Sequence, residues 1–301
     1  MSFSSEVKEE LCRLPLEDRE EAMAEVYGVL LFCNQFSRSG VRITTLSPAF
    51  ARRLPELFRL TFGLEFDESP EDTRGGKLSF LLSRPAAIAA VLTAFGSDLE
   101  RHTVHHINYA MLEGEGSHAA FCRGAFLAGG SVTDPAKGYH LELTTNHLHV
   151  HRELQALIPE LGLQARSTTR KSNYITYFKR SSSIATFLTA IGAPECAKAI
   201  AEARASKSLL NSVNRQYNCD VANVDKAVAA AQSQIDAIRQ LEQQGTLSGL
   251  SETLQETARV RRDNPELSLA QLAALLDPPV SKSCLNHRLR RLQELAGTIH
   301  D

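Results

Sequence analysis

The sequence predicts an α+β fold in which two αβ repeats, related by a pseudo-twofold axis, precede a helical linker and an all-α helix-turn-helix domain. Ordered blocks of sequence recur in the first two thirds of the chain, an alanine- and glutamine-rich stretch with helical spacing follows, and prolines divide the last segment into three short helices. The predicted boundaries are 1–99 for the first repeat, 100–195 for the second, 196–248 for the linker and 249–301 for the helix-turn-helix domain.

An internal repeat in the sequence predicts the two αβ units of the N-terminal part. Three blocks recur in the same order at a spacing of about a hundred residues; they pair 25–40 with 121–135, 44–66 with 144–166, and 84–97 with 180–193. Each unit is expected to contain a helix, a strand leading into an amphipathic helix, a hairpin, and a short apolar helix stopped by glycine. The first helix of each unit carries small residues that allow the two helices to pack closely at the axis, namely Gly28, Gly124, Ala125 and Ala128.

The linker has few β-branched residues and helical apolar spacing, so it is predicted to form helices. The later helix is expected to be long and exposed and to end at Gly245. Three asparagines in its centre, Asn211, Asn214 and Asn218, are interpreted first as caps that frame helix starts. A contact of Arg215 with DNA or with another domain is the second possibility.

Composition excludes several classes of protein. Of 301 residues, 43% are hydrophobic and 23% charged, which is typical of a globular protein with buried cores. The net charge of −2 means that any surface for nucleic acid is local. The six cysteines include no CxxC pair, which favours reduced thiols over disulfides or a zinc site. No apolar run is long enough to span a bilayer, and the acidic N-terminus is unlike a signal peptide. We therefore expect a cytoplasmic protein without membrane contact, cofactor, metal or small-molecule substrate, and the DNA-binding segment described next would make it nucleoid-associated.

The C-terminal segment predicts a helix-turn-helix. Ser268 is a natural N-cap for a short helix that buries Leu269, Leu272, Ala273 and Leu276, and the sequence DPPVS then ends that helix. In the next helix a leucine stripe recurs at helical spacing, at Leu285, Leu289, Leu292 and Leu295. The other faces offer groups suited to DNA phosphates and base edges, and the predicted DNA-binding residues are Ser281, Lys282, Ser283, Asn286, His287, Arg288, Arg290 and Arg291. The alternative is an ordinary amphipathic helix whose cations are only solvated.

A second basic stretch lies in the second repeat. Residues 164–180 contain five cations and no acid, and Arg170, Lys171 and Lys179 are predicted to contact DNA. The equivalent stretch of the first repeat, 64–80, is acidic. We therefore do not expect the first repeat to bind DNA; its acidic hairpin is instead a candidate for docking a protein partner or the protein's own basic helix.

Several of these motifs together resemble the WhiA family of bacterial regulators. The segment NPELSLAQLAALLDPPVSKSCLNHRLRRLQELA is similar to that family's helix-turn-helix signature, NRQYNCDVANVDKA (214–227) to its linker motif, and FCRGAFLAGGSVTDPAKGYHLEL (121–143) to its N-terminal hallmark. Cys284 departs from the small residue expected there. The resemblance implies a LAGLIDADG homing-endonuclease fold before the DNA-binding domain. It also implies a transcriptional role in cell division or sporulation, with an association with chromosome segregation.

The catalytic acids of a LAGLIDADG nuclease are missing from this sequence. A two-repeat enzyme places one carboxylate from each central helix on the divalent metals that activate water. The alignment puts these positions at Cys33 and Gly129, and shifting it by one residue gives Phe32 with Asn34 and Ala128 with Gly130. The nearest acids are Asp134 and Glu142. We therefore expect no enzyme activity.

Two alternatives remain open beside a DNA-binding regulator. One is metal-dependent DNA cleavage, and the other is an N-terminal domain that docks a sigma factor or co-regulator. Three closely spaced histidines, His147, His149 and His151, are predicted to be surface or capping residues, and Cys122 is predicted to be a packing residue.

Overall fold

The computed structural model describes residues 2–96 and 104–297. The chain forms two compact units, Met1–Ser208 and Leu209–Asp301, and the division falls inside one long helix.

The first unit contains two αβ repeats. The first repeat runs α1 (Phe3–Cys12), α2 (Arg19–Phe32), β1 (Gln35–Ser37), β2 (Gly40–Thr45), α3 (Pro48–Phe62), β3 (Leu78–Leu82) and α4 (Pro85–Ala94). A 3-10 turn (Tyr109–Leu112) leads into the second, which runs α5 (Ser117–Gly129), β4 (Gly130–Val132), β5 (Leu141–Thr145), α6 (Leu148–Leu157), a 3-10 turn (Ile158–Leu161), β6 (Arg166–Arg170), β7 (Asn173–Phe178) and α7 (Ser181–Ile191). From α2 and α5 onward, the order of helices and strands is the same in both repeats except for the strands that follow α3 and α6.

Each repeat has its own antiparallel sheet, and the two sheets differ at one edge. The strand order is β1-β2-β3 in the first sheet and β4-β5-β7-β6 in the second. The predicted hairpin is confirmed in the second repeat, where β6 pairs with β7. In the first repeat it is wrong, because residues 64–77 contribute only an isolated bridge between Glu68 and Leu81. A proline, paired glycines and clustered carboxylates all disfavour a strand there.

Helices α2 and α5 pack against each other at the centre of the unit, which requires the two predicted glycines. A Cβ atom at Gly28 would collide with the backbone carbonyl of Phe121, and one at Gly124 with that of Glu25. Buried aromatic rings surround this contact, with Tyr27 and Phe121 at 5.7 Å between ring centroids. The small residues therefore serve close backbone packing, as the sequence predicts.

A buried ion-pair network also links these elements. The carboxylate of Glu25 is fully buried and accepts hydrogen bonds from Arg53 at 2.6 and 2.9 Å and from Arg123 at 2.7 Å. Because Arg53 lies on α3 and Arg123 on α5, one carboxylate ties together three helices.

The second unit is helical. It contains the later part of α8 (Pro194–Gln243), a 3-10 turn (Leu247–Gly249), α9 (Glu252–Asp263), α10 (Leu269–Leu275) and α11 (Lys282–Gly297). Its core joins Ile238 and Leu241 of α8 to Leu272 of α10 and to the α11 stripe. Ser268 caps α10 in a capping box with Gln271, as predicted.

Two details of the helical region differ from prediction. Leu269 and Leu295 are only half-buried. The three linker asparagines lie in the interior of α8, not at helix starts, because the helix continues unbroken through them. Among the described helices, none is long and apolar enough to cross a membrane.

Candidate nucleic-acid interface

Helix α11 presents a buried apolar stripe on one side and polar side chains on the other. Leu285, Leu289 and Leu292 are each 1% exposed. Because a helix turns 100° per residue, the line opposite that stripe passes through Ser283, His287 and Arg290. All eight predicted DNA-binding residues of this segment lie at the surface, with Arg288 half-buried and Ser281, Lys282, Ser283, Asn286, His287, Arg290 and Arg291 exposed. The structure therefore places them on one continuous polar surface.

The start of α11 is held by Ser281. Its hydroxyl oxygen accepts the backbone N–H of Cys284 at 3.2 Å, and its carbonyl accepts that of Leu285 at 3.0 Å. Ser281 is thus the N-cap of α11, a structural role beside the DNA contact predicted for it. The turn before it is fixed to α10 by a hydrogen bond from the N–H of Val280 to the carbonyl of Ala273 at 3.0 Å.

Two arginines of the surface form ion pairs with Glu294. Arg290 lies 3.4 Å and Arg291 3.3 Å from its carboxylate, and the three side chains are 76%, 56% and 49% exposed. Ion pairs this exposed contribute little stability. Both guanidinium groups therefore remain available to exchange the carboxylate for a phosphate.

The second sheet carries the other predicted cations. Arg166 is directly opposite Tyr177 in the register, and strand alternation puts Arg170 on the same sheet face. Lys179 lies over the Tyr177 ring, with its Nζ 5.6 Å from the centroid. Lys171, at the β6–β7 turn, adopts a left-handed conformation with φ 55°.

All three predicted cations are exposed, but the register separates them: Arg170 and Lys171 lie at the β6–β7 turn, and Lys179 lies with Arg166 at the other end of the hairpin. One acid enters this sheet face, because Glu142 lies 3.9 Å from Arg170 and 3.2 Å from His140.

The positions that a LAGLIDADG nuclease uses for catalysis are closed. The Cys33 thiol is 8% exposed and donates to the carbonyl of Leu30 or Gln35, at 3.2 and 3.1 Å. Burial raises the pKa of this thiol to about 12, so it stays protonated. At Gly129 a Cβ would collide with the carbonyl oxygen of Thr144 and approach that of Phe32 at 3.1 Å. No side chain, acidic or otherwise, fits there without movement of the backbone.

The nearest acids are committed to local structure. Asp134 accepts the N–H of Ala136 at 2.8 Å in a turn, and Glu142 contacts His140 and Arg170 of its own sheet. Across the part of the chain that the structure describes, no group of three His, Cys, Asp or Glu residues is arranged to hold a metal ion.

The histidine prediction is partly wrong. His151 is 8% exposed, and its Nδ1 lies 3.1 Å from the hydroxyl of Thr176. His147 and His105 pack edge to face at 4.7 Å between centroids, and each has a buried ring nitrogen with no hydrogen-bond partner among the described residues. Burial, and then the nearby His105, lower the pKa of His147 to about 4. The linear sequence gave no sign of this pair, because the two histidines lie far apart in the chain. Cys122 is fully buried, as predicted.

Comparisons with known proteins address the same two units. A model of the WhiA LAGLIDADG-like domain matches residues 118–209, and a model of the WhiA C-terminal HTH domain matches residues 213–296. A protein of Clostridium novyi (strain NT) named "Probable cell division protein WhiA" is 35% identical over 309 residues, with 98% of each chain covered. One of the same name from Clostridium botulinum (strain Hall / ATCC 3502 / NCTC 13319 / Type A) is 34% identical over 313 residues, covering 99% of each.

A crystal structure of full-length DUF199/WhiA from Thermatoga maritima is similar in fold, with a TM-score of 0.61 at 24% identity over 99% of each chain. This agreement confirms the α+β fold class with a LAGLIDADG-like N-terminal domain and a helical C-terminal region. The identity and coverage of the clostridial relatives confirm the resemblance noted in the sequence: the chain belongs to the WhiA family.

Proposed function

We propose that this protein is a sequence-specific DNA-binding regulator of cell-division genes, and that α11 is its recognition helix. The observation that carries the proposal is the polar surface of α11, where every predicted DNA-contacting side chain lies at the surface above a buried leucine stripe. The helix-turn-helix family match and the name of the clostridial relatives support it.

The positions along α11 suggest different roles. Recognition helices place their N-terminal residues against base edges. Lys282, Ser283, Asn286 and His287 occupy the first two turns, where contact with bases is expected. Arg290 and Arg291 follow in the third turn. There they leave the carboxylate of Glu294 and bind DNA phosphates, which adds affinity without sequence preference.

Binding across a salt series tests this assignment. The probe is a DNA fragment that the intact protein enriches from a genomic library. Arg290→Ala/Arg291→Ala should weaken binding and reduce the slope of log K against log salt by about one to two units, since each lost phosphate contact removes about 0.9. The matched control is Arg74→Ala/Lys77→Ala, which removes two exposed cations from the first repeat.

The control should leave affinity and slope near the native values. Equal losses in the two double variants, or no loss in either, would refute the assignment to α11. Asn286→Ala should instead lower the preference for the enriched fragment over random DNA, with little change in the salt slope.

A second DNA contact through the second sheet is part of the proposal. Its support is the exposed cations along the β6–β7 hairpin, with Arg170 and Lys171 at its turn and Arg166 and Lys179 at its other end, whereas the described residues of the first repeat form no comparable hairpin. Arg170→Ala/Lys179→Ala should weaken binding without changing which sequences are enriched.

The proposal includes the absence of nuclease activity. It is supported by the buried, protonated thiol of Cys33 and the steric closure at Gly129. Supercoiled plasmid incubated with the protein and Mg²⁺ should stay uncut. Nicking that is lost on Asp134→Ala or Glu142→Ala would establish the enzyme alternative.

A further inference from the structure

The middle of α8 is a helix with an apolar face that no described residue of its own unit covers. Every residue from 208 to 230 is exposed to solvent. Within this stretch six apolar side chains follow one another at steps of three and four residues: Leu210, Val213, Tyr217, Val221, Val224 and Val228. They are between 40% (Val221) and 67% (Tyr217) exposed. We call this set the α8 stripe.

Such a segment is not expected to be stable by itself. A helix in water gains little from propensity alone, and most of its stability comes from packing an apolar face. Four of the six stripe residues are valines, whose β-branched side chains lower helix propensity further. The helix therefore requires a surface that covers the stripe.

The spacing identifies the kind of surface. Alternating steps of three and four residues keep apolar side chains on one seam of a helix, as in a coiled coil. The same spacing continues into Ala231, Ile235 and Ile238, which are 9%, 5% and 0% exposed in the helical unit. The α8 stripe thus extends a seam whose C-terminal end already packs in a core, and another helix is the surface that matches it.

Charge and area identify the partner. The segment 209–230 contains two cations, Arg215 and Lys226, and two acids, Asp220 and Asp225, so its net charge is zero. It is therefore unsuited to nucleic acid, and two copies of it meet without net repulsion. The six stripe residues expose roughly 600 Å², so complete coverage by a second copy would bury roughly 1,200 Å², at the lower end of the range of stable interfaces. We propose that two copies of this chain pair through the α8 stripe.

Pairing does not depend on DNA, so the test uses the full chain without nucleic acid. Sedimentation equilibrium over a range of concentrations should show a monomer–dimer equilibrium for the native protein. Val221→Glu/Val228→Glu places two carboxylates in the seam and should raise the dissociation constant roughly a hundredfold or more.

The matched control is Ala222→Glu/Ala230→Glu, which adds the same charge on the opposite side of the same exposed segment. It should sediment as the native chain does. Because all four positions are solvent-exposed, neither double variant disturbs a core, and both should retain the native urea-unfolding transition. Val221→Glu/Val228→Glu uncovers the stripe and should also lose part of the helical circular dichroism signal, which the control should keep. A native chain that stays monomeric up to about 100 µM, or two double variants with equal dissociation constants, would overturn the proposal.

Discussion

Replacing Gly129 by alanine sets two physical effects against each other. Gly129 is the last residue of α5, and within a helix a change from glycine to alanine usually stabilises the fold by about 0.5–1 kcal/mol. The structure indicates the opposite sign, because the new Cβ would collide with the Thr144 carbonyl and lie 3.2 Å from the Cβ of Phe32. Thr144 lies within β5, aligned with Ile175 of β7, so its carbonyl cannot withdraw unless the strand itself moves.

The magnitude follows from comparing the two effects. Overpacking a tight contact costs about 1–3 kcal/mol, and the cost is expected at the upper end where the obstacle is backbone. Subtracting the helix-propensity gain leaves a net destabilisation of about 2 kcal/mol. Gly129→Asp should cost more, because it also buries a carboxylate.

Urea unfolding followed by circular dichroism measures the change, and hydrogen exchange of a peptide spanning α5 reports the N-terminal unit by itself. Gly138→Ala is the control, since a Cβ there meets nothing within 4 Å. The control should be neutral or slightly stabilising. If Gly129→Ala proves as stable as the native chain, the close approach between α5 and β5 is not a constraint, and the steric argument against a catalytic acid fails.

Two further predictions concern buried charge in the first unit. Glu25→Gln leaves two buried guanidinium groups facing a neutral amide and should destabilise the chain by about 3–5 kcal/mol, measured by urea unfolding. The control Glu21→Gln, at the exposed edge of the network, should lower the free energy of unfolding by less than about 1 kcal/mol. The pKa of His147 is about 4 in the folded chain and ordinarily 6.5, so the unfolded chain binds the proton more readily. The contribution of neutral His147 to the free energy of unfolding should be fully present above pH 6.5 and decline as the pH falls towards 4. Allowing for solvent screening of this partly exposed ring, the loss in the free energy of unfolding should be about 1–2 kcal/mol. If a His147→Gln chain loses as much stability between about pH 7 and pH 5 as the native chain does, this histidine is not the source of the loss.

Much of the site follows from local rules. The leucine spacing of α11 and the capping residue of α10 are set by helical periodicity and by short-range hydrogen bonds, which involve neighbours in the chain. Exposed residues on the opposite face follow from the same periodicity, so the surface of Lys282, Asn286 and Arg290 could be predicted. The Ser281 cap was missed because its polar side chain suited a phosphate contact equally well.

The sequence by itself determined the repeated αβ plan, the helical C-terminal region and the absence of acids at the aligned catalytic positions. These are properties of residue order and spacing. Only the tertiary structure decided that Gly129 cannot accept a side chain, because the obstacle is a carbonyl on β5. It also decided that the acidic stretch of the first repeat forms no hairpin and that two distant histidines share a buried contact. Those outcomes depend on which backbones meet across the fold, and long-range packing of that kind leaves no periodic signal in the sequence.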